Sequence, residues 1–218
     1  PILTTISPAS APSGDTVIIT GKYFSGSPAN SSVFFSTSEA RVLSVTGTEI
    51  RAIVPYTPQL SFKVRAVFNG VPTVNTLDFD ILKPVTLGIF PQSGTFGDII
   101  TLYGTHFPAD TNLFDIFFNN SKAVITEVSR TQMKVKVPSG NNVSPATITL
   151  KYYNDISFAE QFTLEQAVVD DVNPSLVTEW KPVTISGSNF NPDPGMVRVD
   201  IGGLAAPVIS STSGEIVV

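Results

Sequence analysis

Hydrophobic and polar positions alternate along this chain in short runs, each closed by a turn residue. Thr16-Val17-Ile18-Ile19-Thr20 alternates and stops at Gly21. Val33-Phe34-Phe35, Ala40-Arg41-Val42-Leu43-Ser44-Val45 and Ile50-Arg51-Ala52-Ile53-Val54-Pro55 follow. Phe62-Lys63-Val64-Arg65-Ala66-Val67-Phe68 and Leu77-Asp78-Phe79-Asp80-Ile81 complete the series. The runs are rich in β-branched and aromatic residues, repeat every second position, and are bounded by Gly, Pro, Asn and Ser. That is the pattern of half-buried strands. No segment carries a helical period longer than two turns.

The series then recurs. Gly21, Gly104 and Gly187 stand 83 positions apart, each followed three residues later by a phenylalanine: Phe24, Phe107, Phe190. The same offset relates Pro8 to Pro91, Gly14 to Gly97, Asp15 to Asp98, Phe35 to Phe118, Val54-Pro55 to Val137-Pro138, and Phe79 to Phe162. A register held without a gap over a whole unit identifies an internal repeat. We read three domains: 1–83, 84–166 and 167–218. Ile50 corresponds to Met133 and then to Ile216, so the third domain is expected to be incomplete at its C-terminus. About seven strands per 83 residues predict an all-β chain of tandem immunoglobulin-like sandwiches, arranged head to tail. The joints near Ile81 to Val85 and at Glu165-Gln166-Ala167 are too short and too poor in Gly and Ser for flexible linkers, which predicts semi-rigid connections.

Composition narrows the functional classes. Of the 218 residues only 14% are charged, 13 Lys and Arg against 18 Asp and Glu, for a net charge of −5. The basic residues are scattered, whereas phosphate-gripping proteins cluster them, so nucleic acid is not an expected partner. The chain has no cysteine, which removes disulfides, zinc thiolates and cysteine nucleophiles together.

The residues Ile6-Ser7-Pro8, Ser13-Gly14-Asp15, Ile19-Thr20-Gly21, Phe24, Val33-Phe34-Phe35, Ala40, Val42 and Val54-Pro55 resemble an IPT/TIG domain, an immunoglobulin-like fold of the E-set type. The second unit matches at Ile89-Phe90-Pro91, Gly97-Asp98, Gly104, Phe107 and Val137-Pro138. The third matches at Val172-Asn173-Pro174, Ile185-Ser186-Gly187 and Phe190. It departs where Trp180-Lys181 replace Gly-Asp and where Asp200 replaces the middle phenylalanine. The resemblance extends to tandem-repeat lipoproteins of the Bacteroidetes outer surface, among them surface glycan-binding proteins of polysaccharide-utilisation systems. It implies an extracellular location on a bacterial outer cell surface. It implies membrane contact only through a lipid anchor outside these residues. The implied role is a spacer presenting a glycan-binding domain, with polysaccharide or oligosaccharide and outer-membrane transport or surface proteins as partners. An adhesin or filament component, and the stalk of a secreted glycoside hydrolase, are the alternatives.

No residue set spells out catalysis, and no enzyme, cofactor or metal is expected. His106 occupies the turn position held by Tyr23 and Asn189 in the other units, which marks a surface turn. Asp15 and Asp98 are turn residues whose slot in the third unit is Lys181, so they are not expected to ligate calcium. The aromatics carry more. Alternation turns Phe34 and Phe117 outward, and Tyr152, Tyr153 and Trp180 stand near predicted turns. Sugars stack on exposed rings, which makes these five the candidate glycan contacts. Packing against a neighbouring unit or capping a sandwich end is the competing role, and the commoner one.

Overall fold

Alternation becomes burial in the computed structural model, which describes residues 1–140, 143–153, 155–178 and 181–218. In the strand Thr16–Lys22, Val17, Ile19 and Gly21 point inward and are buried; in Ser31–Phe35, Val33 and Phe35 are buried while Phe34 is not. The described residues form strands joined by turns and three single-turn 3-10 segments, at Pro28–Asn30, Thr111–Leu113 and Pro194–Met196, with no α-helix among them. By contact density the chain divides into two units: Pro1–Val85 with Thr105–Asp110, and Thr86–Gly104 with Thr111–Val218.

The first unit is a sandwich. One layer orders Ile2–Ser7, Thr16–Lys22, Glu49–Ile53 and Ser38–Val45. The other orders Ser31–Phe35, Ser61–Phe68 and Leu77–Ile81, with Ser10–Ala11 running parallel along the last. Ser38–Val45 joins the layers: Arg41 to Val45 pair with Glu49–Ile53, and Ser38 to Ala40 pair with Ser31–Phe35. Registers such as Ile19 opposite Ile50 and Phe35 opposite Val64 keep apolar side chains facing inward together. The core they enclose includes Val17, Ile19, Val33, Phe35, Ile50, Val64 and Phe79, all fully buried. Phe35 meets Phe79 edge to face with centroids 5.1 Å apart, and Phe24 stacks on Phe68 at 4.8 Å. Each such side chain contributes about 1.5–3 kcal/mol by burial.

The second unit holds most of the second repeat and all of the third. The second repeat's sandwich sets Val85–Phe90, Ile99–Thr105, Gln132–Lys136 and Val124–Val128 against Ser93–Gly94, Asp155–Leu164, Ala146–Tyr152, Phe114–Phe118 and Ser121–Lys122. The Phe118–Phe162 pair, 5.6 Å and near-perpendicular, is Phe35–Phe79 again, 83 residues on. In the third repeat Val168–Asn173, Thr184–Ser188, Glu215–Val217 and Ser210–Ser211 form one sheet, beside a hairpin of Val199–Ile201 and Leu204–Ala206. Its core gathers Val183, Ile185, Phe190, Ile216 and Val218.

The repeat is preserved bond by bond. Gly21, Gly104 and Gly187 each donate their N–H over 2.9 Å to a carbonyl, of Thr48, Thr131 and Gly214 respectively. The residue two beyond each glycine, Tyr23, His106 and Asn189, has a left-handed φ of 61–63°. Thr46, Ser129 and Thr212 each accept with the side-chain hydroxyl from the amide three residues on, at 3.0–3.1 Å, closing the same turn three times.

Candidate functional site

Two strands hold each outward phenylalanine. Phe34 lies on the outer face of Ser31–Phe35, directly opposite Arg65 on one side and Glu39 on the other. The Arg65 guanidinium sits 4.1 Å above the centre of the Phe34 ring. Phe117 lies between Thr149 and Lys122, and the Lys151 ammonium reaches to 4.9 Å over its ring. Lys122 itself is paired with Asp115 at 2.6 Å. The third repeat puts Asp200 at this place, and Arg198 Nε lies 3.2 Å from its carboxylate. The outward position thus keeps a cationic neighbour in all three repeats, whether it carries a ring or an acid. A cation over an exposed ring contributes about 0.5–1 kcal/mol. It also covers a ring face that a sugar would need, so Phe34 and Phe117 are half-buried members of a surface ladder, not open platforms.

The other candidates separate. Tyr152 is only 4% exposed, which corrects its assignment as an accessible ring. The cause is phase: in Ala146–Tyr152 the even positions 146, 148, 150 and 152 all point inward and are buried. Tyr152 packs against Phe114 with centroids 5.5 Å apart and closes that end of the core. Tyr153, next in the chain at φ 53°, turns its ring against Tyr152 at 4.7 Å and is half-buried. Trp180 lies outside the described residues. Of the four described candidates, the structure brings together Tyr152 and Tyr153.

Other apolar side chains reach solvent instead. Tyr23, on its left-handed turn, is 79% exposed, and Phe90 is 67% exposed. Leu87, Ile99, Tyr103 and Val124 are exposed on the same four-stranded layer as Phe90. Part of this was available from alternation: if Ile100 and Leu102 point inward, Ile99 and Tyr103 point outward.

Among the described residues catalytic and metal chemistry find no constellation. His106 has Thr105 Oγ1 at 3.4 Å, and among the described residues no carboxylate is seen to orient its ring in the manner a general base requires. Asp98 folds back to accept from the Thr95 amide at 2.8 Å, a turn bond. Among the described residues no group of three or more His, Cys, Asp or Glu side chains converges as a metal site would. A cleft of about 980 Å³ is lined in part by Ile185, Phe190, Val199 and Ile216 of the third repeat. Phe96, Ser144 and Leu164 of the second repeat and Glu165 and Gln166 of the connection complete the lining, so the cleft runs along the second joint.

Several solved structures are similar to parts or all of the chain. Over all of its length the chain is similar to one fifth of the plexin A4 extracellular region: 99% of the chain and 20% of that protein are covered, with 16% identity and a TM-score of 0.43. A surface glycan-binding protein from Prevotella bryantii is similar over 71% of the chain and 37% of its own length, at 14% identity and a TM-score of 0.35. A protein from a complex xyloglucan utilization locus in Bacteroides uniformis is similar over 86% and 61%, at 14% identity and a TM-score of 0.35. No curated protein matches the chain. The IPT/TIG domain family model matches residues 1–80 and 84–164, and with most of its length so matched the chain belongs to the IPT/TIG family.

Proposed function

We propose that this chain is a non-catalytic spacer in an extracellular, surface-displayed protein, its repeats setting the distance at which a glycan-binding domain is held. The observation that carries the reading is the second joint. The strand Asp155–Leu164 ends and Val168–Asn173 begins after three residues, and the middle one, Gln166, is held through its carbonyl by the Asn189 side-chain amide at 3.1 Å. A three-residue connection that is hydrogen-bonded has little freedom to bend, so each added repeat extends reach. Closed sandwich cores and turn-bound polar side chains fit a structural part better than a reacting one. A bacterial outer surface with a lipid anchor, polysaccharide capture, and transport or surface proteins as neighbours belong to the same proposal.

Affinity electrophoresis of the chain through gels containing soluble polysaccharides tests it. The spacer reading expects unchanged mobility in every gel. Retardation that disappears on Tyr23→Ala, Phe34→Ala, Phe90→Ala or Phe117→Ala would make the repeats themselves the glycan receptor.

One observation favours a second reading. Leu87, Phe90, Ile99, Tyr103 and Val124 each expose apolar side chains on one layer, and an exposed apolar surface of that kind favours protein contacts. In this reading the repeats act as an adhesin or filament component. Sedimentation that stays monomeric across a wide concentration range would count against self-assembly through that layer.

A further inference from the structure

Asn191 does something that no counterpart in the other repeats can do. It is 7% exposed, a buried polar residue in the third repeat. Its side-chain Nδ2 donates to the Ser139 carbonyl, in the second repeat, at 2.6 Å. Its Oδ1 accepts from the Asp193 amide at 3.0 Å, and its own carbonyl accepts from Ser211 Oγ at 2.5 Å. The amide group is therefore fixed at its root by two bonds within the third repeat before it reaches across.

The far end lies two residues beyond a fixed point. Ser139 follows Val137, which exchanges hydrogen bonds with the turn at its base: Gly97 donates to Val137 at 3.0 Å, and Val137 donates to Asp98 at 2.9 Å. Asn191 thus links a fixed point in the third repeat to one two residues from a fixed point in the second, across the joint. Asn189 adds the bond to Gln166 within the connection itself. One repeat earlier the place of Asn191 is taken by Pro108, and one before that by Ser25; neither carries a side-chain amide. The feature belongs to the third repeat alone.

We propose that Asn191 is the bolt of the second joint, making the second and third repeats one rigid body where small interfaces between domains ordinarily permit relative motion. Its purpose rests on the spacer reading, since a locked joint is what a spacer requires. Its existence rests only on the bonds above.

Two measurements on the whole chain test this. Backbone ¹⁵N relaxation of the unmodified protein reports whether the amides of the two repeats share one tumbling tensor. Shared tumbling is expected, and separate tumbling overturns the proposal. The chain has no cysteine, so spin labels can be placed cleanly at Thr126→Cys in the second repeat and Glu215→Cys in the third, both exposed strand positions. The distance distribution between them is then compared with and without Asn191→Asp. That change keeps an oxygen for the Asp193 amide but sets a carboxylate against the Ser139 carbonyl. The distribution is expected to become roughly twofold broader as the joint regains ordinary interdomain freedom. An unchanged distribution in a folded variant overturns the proposal. If the variant fails to fold, the relaxation result decides. Neither readout involves glycan, so a failed bolt and a failed spacer reading are told apart by the electrophoresis.

Discussion

A hydrogen atom is the largest side chain that fits at Gly21. A Cβ there would overlap both the Ile2 carbonyl oxygen and the Phe24 ring, and at Gly187 it would overlap the Val168 carbonyl oxygen and the Phe190 ring. Neither glycine has a positive φ, so the requirement is close approach and not backbone handedness. Gly21→Ala is therefore expected to destabilise the first repeat by about 1–3 kcal/mol, the usual cost of overpacking, because backbone cannot step aside as a flexible side chain would. Gly47→Ala is the control, since a Cβ at Gly47 meets nothing. Thermal unfolding of the two variants checks this, and equal midpoints would refute it. The glycine was legible because it recurs every 83 residues with a phenylalanine three positions on. The reason for it was not, because the strand it meets lies about twenty residues away in sequence and only pairing brings the two together. Asn191 shows the same limit more sharply: 52 residues separate it from Ser139, and no local pattern announces the bond.

Strand phase decides what each aromatic does. Val33-Phe34-Phe35 was read correctly because the two buried neighbours fix the face of the middle residue. The turn after Tyr152 suggests an exposed ring, but the strand before it decides: Ala146, Ile148 and Leu150 set its direction inward. The consequence is a contrast between two rings on neighbouring strands. Tyr152→Ala empties a core position beside Phe114 and is expected to cost about 3–5 kcal/mol, as large aromatic truncations do. Phe117→Ala removes a half-buried ring and its contact with Lys151, and is expected to cost far less, about 1 kcal/mol. Urea titrations followed by near-ultraviolet circular dichroism would compare them. A larger loss for Phe117 would show that the outer ladder, not the sandwich interior, holds this repeat together.

For the whole molecule the question is whether charge or burial maintains it. The fold class and the tandem organisation were readable from periodicity alone, because a sandwich buries alternate residues and writes that alternation into every strand. What holds the sandwiches follows from the same fact. Lys63–Asp78, Lys122–Asp115, Lys134–Glu127 and Arg198–Asp200 are ion pairs on the surface, their side chains between 44% and 82% exposed. Pairs of that kind contribute about 0–1 kcal/mol each and are screened by salt. Screening also relieves the repulsion within a chain of net charge −5, which acts in the opposite direction. The two effects offset, while the phenylalanine-rich cores are indifferent to sodium chloride at moderate strength. Raising sodium chloride from 0.05 to 0.5 M is therefore expected to move the unfolding midpoint by no more than about 4–8 °C, the shift that roughly 1 kcal/mol produces in a domain of this size. Differential scanning calorimetry at the two salt concentrations measures it. A fall of 10 °C or more, beyond that ~1 kcal/mol range, would mean that surface charge carries a share of the stability that these exposed pairs do not account for.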